Sequence, residues 1–321
     1  MVDLVRLSIG TAVKLGLQEG PETEGFTTSF LMTYNESGCT ANCAFCPQAR
    51  SASSDGEKLS RIRWPPFDLD LILDKLEKSD FQRVCIQCLN YPQVVDDVVH
   101  IIKRVTSIAD APVSVCIQPI NKRDMHRLKD AGAERIGIAM DACTEELFHE
   151  IKGKKRNSIY RWESHLESLK AAQKIFGENA VTTHLIIGLG EAEEEAVKFI
   201  FDMQDQGISV GLFAFTNVRG TSLEEEAQPD IGKYRRIQAI HYLARIGRIR
   251  REDVCFENGE SRLKLDTIDL KESLSGQMFR TTGCEGCNRP YYNERPAGPL
   301  YNYHRPLSQD ELQDALAELN W

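Results

Sequence analysis

A chain of 321 residues, 41% hydrophobic and 27% charged, is long enough for a sizeable core and for a single β/α barrel. Its net charge of −9 and pI near 5.4, with no long Lys/Arg block, argue against a nucleic-acid binder. It has no apolar run of about 18 residues to cross a membrane, and the segment around Asp3 and Arg6 lacks the parts of a signal peptide, so no membrane partner and a cytoplasmic location are expected.

Apolar residues at helical spacing predict a helix over 2–17, part of a helical extension, 1–26, outside the core. Residues 29–34 read as a first strand feeding the loop 35–49, and 51–64, polar and charged, as an exposed loop. Strands then alternate with helices: strand 83–89, helix 94–108, strand 113–120, helix 124–131, strand 135–141, helix 158–176, strand 180–189. Helix 193–205, strand 210–216, helix 231–246, strand 253–257, a helix over 265–274 and a last strand over 277–282 follow. This alternation predicts parallel pairing through right-handed crossovers. The expected fold class is α/β, a complete or nearly complete (βα)8 TIM-type barrel over 27–287. Cys85-Ile86-Gln87 and Cys116-Ile117-Gln118 echo one another 31 residues apart on successive strands. The remainder, 288–321, with four prolines and four tyrosines between 288 and 306, reads as a cap over the barrel followed by a helix.

Ten cysteines in a reducing compartment read as metal ligands or catalytic thiols rather than disulfides. Cys39-x3-Cys43-x2-Cys46 sets three thiolates on a short loop after a strand. Three thiolates hold three irons of a cubane that normally takes four, which leaves one iron open. Zinc would need a fourth ligand nearby, and no other Cys or His lies between residues 1 and 84. Cys284-x2-Cys287 in the tail and Cys85-x2-Cys88 at the end of the second strand are candidate ligands of an auxiliary cluster, with Cys116 and Cys255 as alternates. A lone CxxC also fits a redox pair or half a zinc site. The tail pair is expected near the strand ends, beside the first cluster. Cys143 reads as a small core hydrophobe.

The stretch 39–48, Cys-Thr-Ala-Asn-Cys-Ala-Phe-Cys-Pro-Gln, resembles the cluster loop of the radical S-adenosylmethionine (SAM) superfamily, in particular of biotin synthase and its relatives. The likeness runs roughly over 27–285. It implies a [4Fe–4S] cluster on Cys39, Cys43 and Cys46 whose open iron chelates SAM, cleaved on reduction to a 5′-deoxyadenosyl radical. It further implies SAM contacts at four residues. Phe45 precedes the third cysteine, and Asn90 ends a strand where many members carry Gly-Gly-Glu. Asp141 ends the strand Arg135-Ile-Gly-Ile-Ala-Met-Asp as a ribose-binding carboxylate. Gly188 stands in Ile186-Ile-Gly-Leu-Gly-Glu, the segment that passes the adenine. On the residues alone, Asp141 also reads as a helix N-cap before Glu145.

Cys85 and Cys116 lie close to the places where biotin synthase supplies ligands to its sulfur-donating cluster. Thr182 stands where that family has a third cysteine, and Cys255 near its arginine ligand, so that cluster does not carry over intact. The added tail pair implies a differently ligated auxiliary cluster, expected to be [4Fe–4S]. The sequence is most similar to a subunit of the archaeal two-component lipoyl synthases, whose members carry a C-terminal Cys-x-x-Cys-Asn-Arg-Pro segment. That resemblance implies one of two sulfur insertions, at C6 or C8, into an octanoyl-lysyl chain on a lipoyl carrier protein. It implies a partner radical SAM subunit and an electron donor such as ferredoxin. The N-terminal cysteine triplet and Arg-Ser-Ser-Tyr segment of the single-chain bacterial lipoyl synthase are absent. Rival readings are biotin synthase acting on dethiobiotin, and a mutase or lyase of the methylornithine-synthase or hydrogenase-maturase type, with a small-molecule substrate and no second cluster. A non-catalytic iron–sulfur carrier has no use for an open iron.

His184, on an inward-facing strand, reads as a core hydrogen-bonding residue or a SAM or substrate contact. Arg289 reads as an anion ligand near a cluster or as half of a surface ion pair. Tyr291 and Tyr292 read as substrate contacts or aromatic staples. The patch Arg245–Arg251 reads as a solvated helix end or a dock for an acidic carrier domain.

Overall fold

The structure, a computed structural model, describes residues 3–264 and 275–321. The N-terminal segment forms strand β1 (Leu4–Leu7) and then helix α1 (Ile9–Lys14), in place of the continuous helix expected over 2–17. The reason is a period of two: Val5 and Leu7 are fully buried while Leu4 is exposed. Ser8 ends the strand and caps α1 by accepting from Thr11 N. Strand β2 (Thr28–Thr33), buried along its whole length, leads into the cysteine loop. The segment 51–64 is not simply an exposed loop. It holds a small antiparallel hairpin, β3 (Lys58–Leu59) and β4 (Ile62–Arg63), and it buries Trp64. Strand β5 (Pro66–Asp68) hands over to α2 (Leu69–Leu76), where the Asp68 carboxylate accepts from Asp70 N and Leu71 N.

The expected alternation follows: β6 (Arg83–Gln87), α3 (Val94–Thr106), β7 (Val113–Cys116), α4 (Lys122–Ala131) and β8 (Ala133–Gly137). Then come α5 (Glu145–Ile151), α6 (Trp162–Phe176), β9 (Val181–Ile187), α7 (Glu193–Gln204), β10 (Ser209–Ala214) and α8 (Ile231–Arg245). Side-chain caps mark several boundaries. Asn121 opens α4 by accepting from Asp124 N, and Gly132, at φ 115°, closes it in the left-handed region.

The main sheet has the order β10-β9-β8-β7-β6-β2-β1-β5. Every pairing from β2 to β10 is parallel, while β1 pairs antiparallel with both β2 and β5. The α/β, TIM-type architecture therefore rests on six parallel strands joined by helical crossovers, and antiparallel β1 and β5 extend the wall.

Two strands expected in the barrel lie elsewhere. β11 (Val254–Glu257) pairs with β12 (Glu260–Leu263) in a separate hairpin. The turn is Asn258-Gly259, with φ of 53° and 84°, the left-handed pair that a tight hairpin requires. Residues 277–282 form no sheet strand. A 3-10 turn, Gly276–Phe279, precedes a single bridge from Arg280 to Tyr303. The helix expected over 265–274 lies outside the described residues.

The tail is tied into the barrel rather than draped on it. Thr282 Oγ1 accepts from Leu212 N on β10 at 2.8 Å, and Arg83 Nε at the start of β6 donates to Glu285 O at 2.8 Å. The Thr27 and Thr28 hydroxyls donate to Gly286 O at 3.1 Å. Residues 282–288 thus run from β10 to the first residues of β2 and β6. Further on, the buried Arg235 of α8 donates to Leu300 O and Tyr301 O, and the C-terminal helix Gln309–Ala317 packs behind it, with Glu318 accepting from Arg235 Nε at 2.8 Å.

Candidate active site

The loop after β2 is held from both flanks. Thr40 N donates to Asn90 O, Ala44 N to Ile151 O, and Asn42 Nδ2 to Arg156 O. Asn90 N points at the Cys39 sulfur at 3.3 Å, and Cys46 N turns back to Cys43 O at 3.1 Å. All three thiols are free. Burial pushes the Cys43 thiol up to about 12, with Lys152 opposing that shift, and it pushes Cys46 well above the ordinary thiol range. Thiols this reluctant to ionise become thiolates when a metal takes the place of the proton.

Around the loop stands a buried polar network. Asp141 takes a φ of 65°, unusual for a side-chain-bearing residue. Strand β9 fixes it there, through Asp141 N to His184 O and Ile186 N to Asp141 O, both 2.9 Å. Its Oδ2 accepts from Lys152 Nζ at 2.6 Å, and both side chains are buried. Lys152 also donates to Ala139 O and stands over the rings of Phe148 and Tyr160. Burial alone would lower the Lys152 pKa; Asp141, Cys43 and Cys46 together hold it above its ordinary value. Thr144, not Asp141, caps α5 by accepting from Leu147 N, so the Asp141 carboxylate is left to face the cavity. Asn90 Nδ2 is buried with no acceptor at hydrogen-bond distance among the described residues.

A cavity of about 170 Å³ occupies the barrel interior. Phe45, Cys46 and Asp141 line it at the strand C-terminal side, and Cys85, Cys116, Cys284 and Cys287 line it deeper in. Each of these four sulfurs has a polar partner: Gln87 Nε2 donates to Cys85 at 3.1 Å, and the Ser114 hydroxyl to Cys284 at 3.4 Å. Arg289 Nη1 donates to Cys287 at 3.4 Å, and His184 Nε2 lies 3.8 Å from Cys116. Space is kept by Gly137, where a Cβ would meet Thr182 Oγ1 at 2.8 Å and the Cys116 sulfur at 3.0 Å. Burial raises the Cys284 thiol and pushes Cys287 up to about 12. It lowers His184 to about 4, which leaves that imidazole neutral at pH 7.

Several residues expected at the site take other places. The tail pair sits not beside the first cysteine loop but at the opposite end of the strands, with Cys284 against Ser114 near the start of β7. Cys88 lies past the end of β6 and packs into the core outside the cavity. Strand periodicity explains it: residues 85 and 87 share the inward face, and a residue three on does not. Cys116, an alternate, takes the inward place instead. Cys255, on β11 in the separate hairpin, donates to Arg262 O and does not line the cavity. Cys143 is a buried core residue. Gly188, at φ 103°, follows β9; a Cβ there would meet Pro229 at 2.8 Å, and the residue lies outside the cavity lining. Among the described residues Arg289 has no ion-pair partner. Its guanidinium stacks 4.1 Å from the Phe213 ring centroid and donates to Thr282 O at 2.9 Å. Lys152 and Tyr160 were not legible as site residues, because Lys152 opens a Lys/Arg-rich run that reads as solvated.

The Radical SAM superfamily model matches residues 37–203, which begin at the cysteine loop and end in α7. The chain belongs to the radical SAM superfamily. It resembles the biotin synthase of Sulfurihydrogenibium sp. (strain YO3AOP1), 26% identical over 207 residues that cover 61% of this chain and 57% of that protein. The biotin synthase of Persephonella marina is 23% identical over 202 residues, 62% and 57% of the two chains. The match thus spans little more than half the length of these relatives. In fold the chain resembles methylornithine synthase, with TM-score 0.52, 14% identity and coverage of 70% and 63%. It also resembles the FeFe-hydrogenase maturase of Carboxydothermus hydrogenoformans, with TM-score 0.52, 16% identity and coverage of 70% and 53%.

Membership brings a [4Fe–4S] cluster and SAM, and the residues present fit both. Among the described residues no three Cys, His, Asp or Glu side chains converge as a site for a single ion. A cubane asks for something different, since each thiolate meets its own iron. Cys39, Cys43 and Cys46 meet that need, and the N–H of Asn90 aimed at the Cys39 sulfur suits a ligating thiolate. The unpartnered Asn90 amide and the buried Asp141 carboxylate suit a polar cofactor beside the loop. Among the described residues no helix is long and apolar enough to cross a membrane.

Proposed function

We propose that this radical SAM enzyme inserts sulfur, and that Cys85, Cys116, Cys284 and Cys287 hold an auxiliary [4Fe–4S] cluster as the sulfur source. One observation carries the reading: a single cavity is lined at one end by the radical SAM loop and at the other by four thiols, each with a hydrogen-bonding partner. Held by Cys39, Cys43 and Cys46, the first cluster with SAM would supply hydrogen abstraction from an unactivated carbon, and a cluster held by Cys85, Cys116, Cys284 and Cys287 would supply sulfur and the one-electron acceptor that forming a carbon–sulfur bond requires. The chain's own residues hold that chemistry in place. Phe45 and Asp141 face SAM from the loop side, with Lys152 fixing the Asp141 carboxylate. Gln87, Ser114 and Arg289 direct N–H or O–H groups at the auxiliary sulfurs, where they orient ligands and temper their charge, and His184 Nε2 lies 3.8 Å from the Cys116 sulfur. The apolar wall of Phe30, Trp64, Phe213 and Phe215 excludes water from radicals.

The proposed substrate is an octanoyl-lysyl chain on a lipoyl carrier protein, receiving one of two sulfurs, with a partner radical SAM subunit and a ferredoxin-type donor. The similarity to archaeal two-component lipoyl synthases through the tail segment supports that choice, and Thr182, in the place of a third cysteine, sets the chain apart from biotin synthase. Anaerobic reconstitution with iron counting tests the second cluster. About eight irons per chain are expected, falling to about four in Cys284→Ala/Cys287→Ala. About four irons in the wild type would instead support a mutase or lyase. Single-turnover assays offering an octanoyl-lysyl peptide and dethiobiotin then separate the two sulfur insertions, and the octanoyl peptide is expected to be thiolated.

A further inference from the structure

Beside the catalytic cavity lies a second one, of about 400 Å³. The two share four lining residues: Phe30, Trp64, Arg289 and Tyr292. Its outer lining is exposed, at Glu19, Gly20, Pro21 and Pro296, whereas Phe26, Phe30 and Trp64 at its inner end are buried. It therefore runs from the surface to the wall of the reaction chamber. Between rim and wall the lining is largely apolar, with Ile9, Val13, Ile62 and Pro290. Its two sides are tied to each other: Arg61 Nη1 donates to Tyr291 O at 2.7 Å, and the Ser60 hydroxyl to Tyr292 O at 3.3 Å. The shared residue Arg289 is also the one that donates to the Cys287 sulfur, so the inner end of the passage adjoins an auxiliary thiol.

We propose that this lateral cavity is a corridor through which an unbranched acyl chain, still attached to its carrier outside, reaches the auxiliary thiols. The inference rests on the carrier-borne substrate proposed above and deepens it. A folded carrier cannot enter the barrel, so only its acylated arm does, and the arm needs an apolar path of its own while SAM occupies the cysteine-loop side. A hydrocarbon chain gains by leaving water for such a lining, roughly 0.8 kcal/mol per buried CH₂. A free small substrate would need the chamber alone.

Two measurements test the corridor. The first uses a fluorescent peptide bearing Nε-octanoyl-lysine, and its Nε-acetyl counterpart, against holoenzyme. The wild type is expected to bind the octanoyl peptide at least tenfold more tightly. Val13→Trp, which fills the corridor, is expected to abolish that preference while iron content and circular dichroism stay as in the wild type. An undiminished preference in Val13→Trp, or none in the wild type, overturns the proposal. The second uses the same peptide with a mid-chain diazirine, irradiated on the holoenzyme and mapped by mass spectrometry, and needs no turnover. Labels on 8–26, 61–64 or 290–296 support the corridor; labels confined to the cysteine-loop side, or none, overturn it. Corridor labels without thiolation in single turnover would leave the corridor standing and remove the sulfur-insertion reading.

Discussion

Lys152 carries a charge where the fold offers little water, and the Asp141 carboxylate is its ion-pair partner among the described residues. Removing one member of a buried pair strands the other, a cost of about 3–5 kcal/mol. Lys152→Met is therefore expected to lower the unfolding free energy by about that amount, and adding Asp141→Asn to restore most of it, as read by anaerobic denaturant titration. Equal stability of Lys152→Met and wild type would show that the pair is not an isolated unit. At Gly137 the argument is steric. A Cβ would stand 2.8 Å from Thr182 Oγ1, closer than real contacts come, and 3.0 Å from the Cys116 sulfur, so one of these side chains would have to shift. Gly137→Ala is expected to lose about four irons while the first cluster remains, seen as reductive SAM cleavage by the variant. The ligand set makes a matching claim: Cys116→Ser should shed the same irons, and Cys88→Ser and Cys255→Ser should keep them. How much of this was legible differs residue by residue. Cys39, Cys43 and Cys46 declare themselves because three ligands share one short loop. The choice of Cys116 over Cys88 was available in the period of two, since the repeated Cys-Ile-Gln triplets put Cys85 and Gln87 on one face and Cys88 off it. Lys152 gave no such sign, because only α5 carries it back to Asp141, eleven residues away in the chain.

At the level of elements, local chemistry sets most boundaries, and it can be tested separately from packing. Gly132 ends α4 at φ 115°, and a Cβ there would meet Thr106 Cγ2 at 2.9 Å; Gly16, at φ 68°, has nothing within 4 Å. Left-handed backbone costs a side-chain-bearing residue about 1–2 kcal/mol. Gly16→Ala should lose only that, Gly132→Ala should lose more, and Thr106→Ser, which removes Cγ2, should erase the difference in urea melts. If the two alanine variants lose equally, the Thr106 contact is soft. The same local chemistry explains which elements the sequence revealed. Strands β6, β7, β9 and β10 are buried apolar runs set between caps, and they announce themselves. The first strand was masked because a short period of two in Leu4–Leu7 runs directly into a helical pattern. The β11–β12 hairpin carries its sign in Asn258-Gly259, a turn that forbids β11 from crossing over to a parallel barrel strand. No local signal says that residues 277–282 leave the sheet, since their partners, Leu212 and Tyr303, lie far away in sequence.

On the scale of the whole molecule, the two groups of cysteines close the barrel from opposite ends. The loop 35–50 spans the C-terminal ends of the strands, and the tail crosses to the starts of β2 and β6, from where Cys284 and Cys287 line the same cavity as Cys85, in the middle of β6, and Cys116, the last residue of β7. Hydrogen bonds that hold 282–288 include Thr282 to Leu212 and Arg289, Cys284 to Ser114, Glu285 to Arg83, Gly286 and Asn288 to Thr27 and Thr28, and Asn288 to Gly25 and His304. A four-thiolate cluster would cross-link that tail to β6 and β7, and ligand binding to the folded state alone stabilises it by mass action. Without iron Cys85, Cys284 and Cys287 are expected to stay protonated, since the neighbouring Cys116 side chain and burial raise Cys85, and burial raises Cys284 and Cys287, above the ordinary thiol range. Stripping iron anaerobically with a chelator should therefore lower the melting temperature and unprotect the amides of 35–50 and 282–296 in hydrogen exchange, while α3 and α6, packed on the outer layer, keep their protection. In Cys284→Ala/Cys287→Ala the loss should be confined to 282–296, because the loop keeps its own cluster. Full protection of 282–296 in that variant would mean that the tail is held by its hydrogen bonds alone and that no cluster joins it to the barrel.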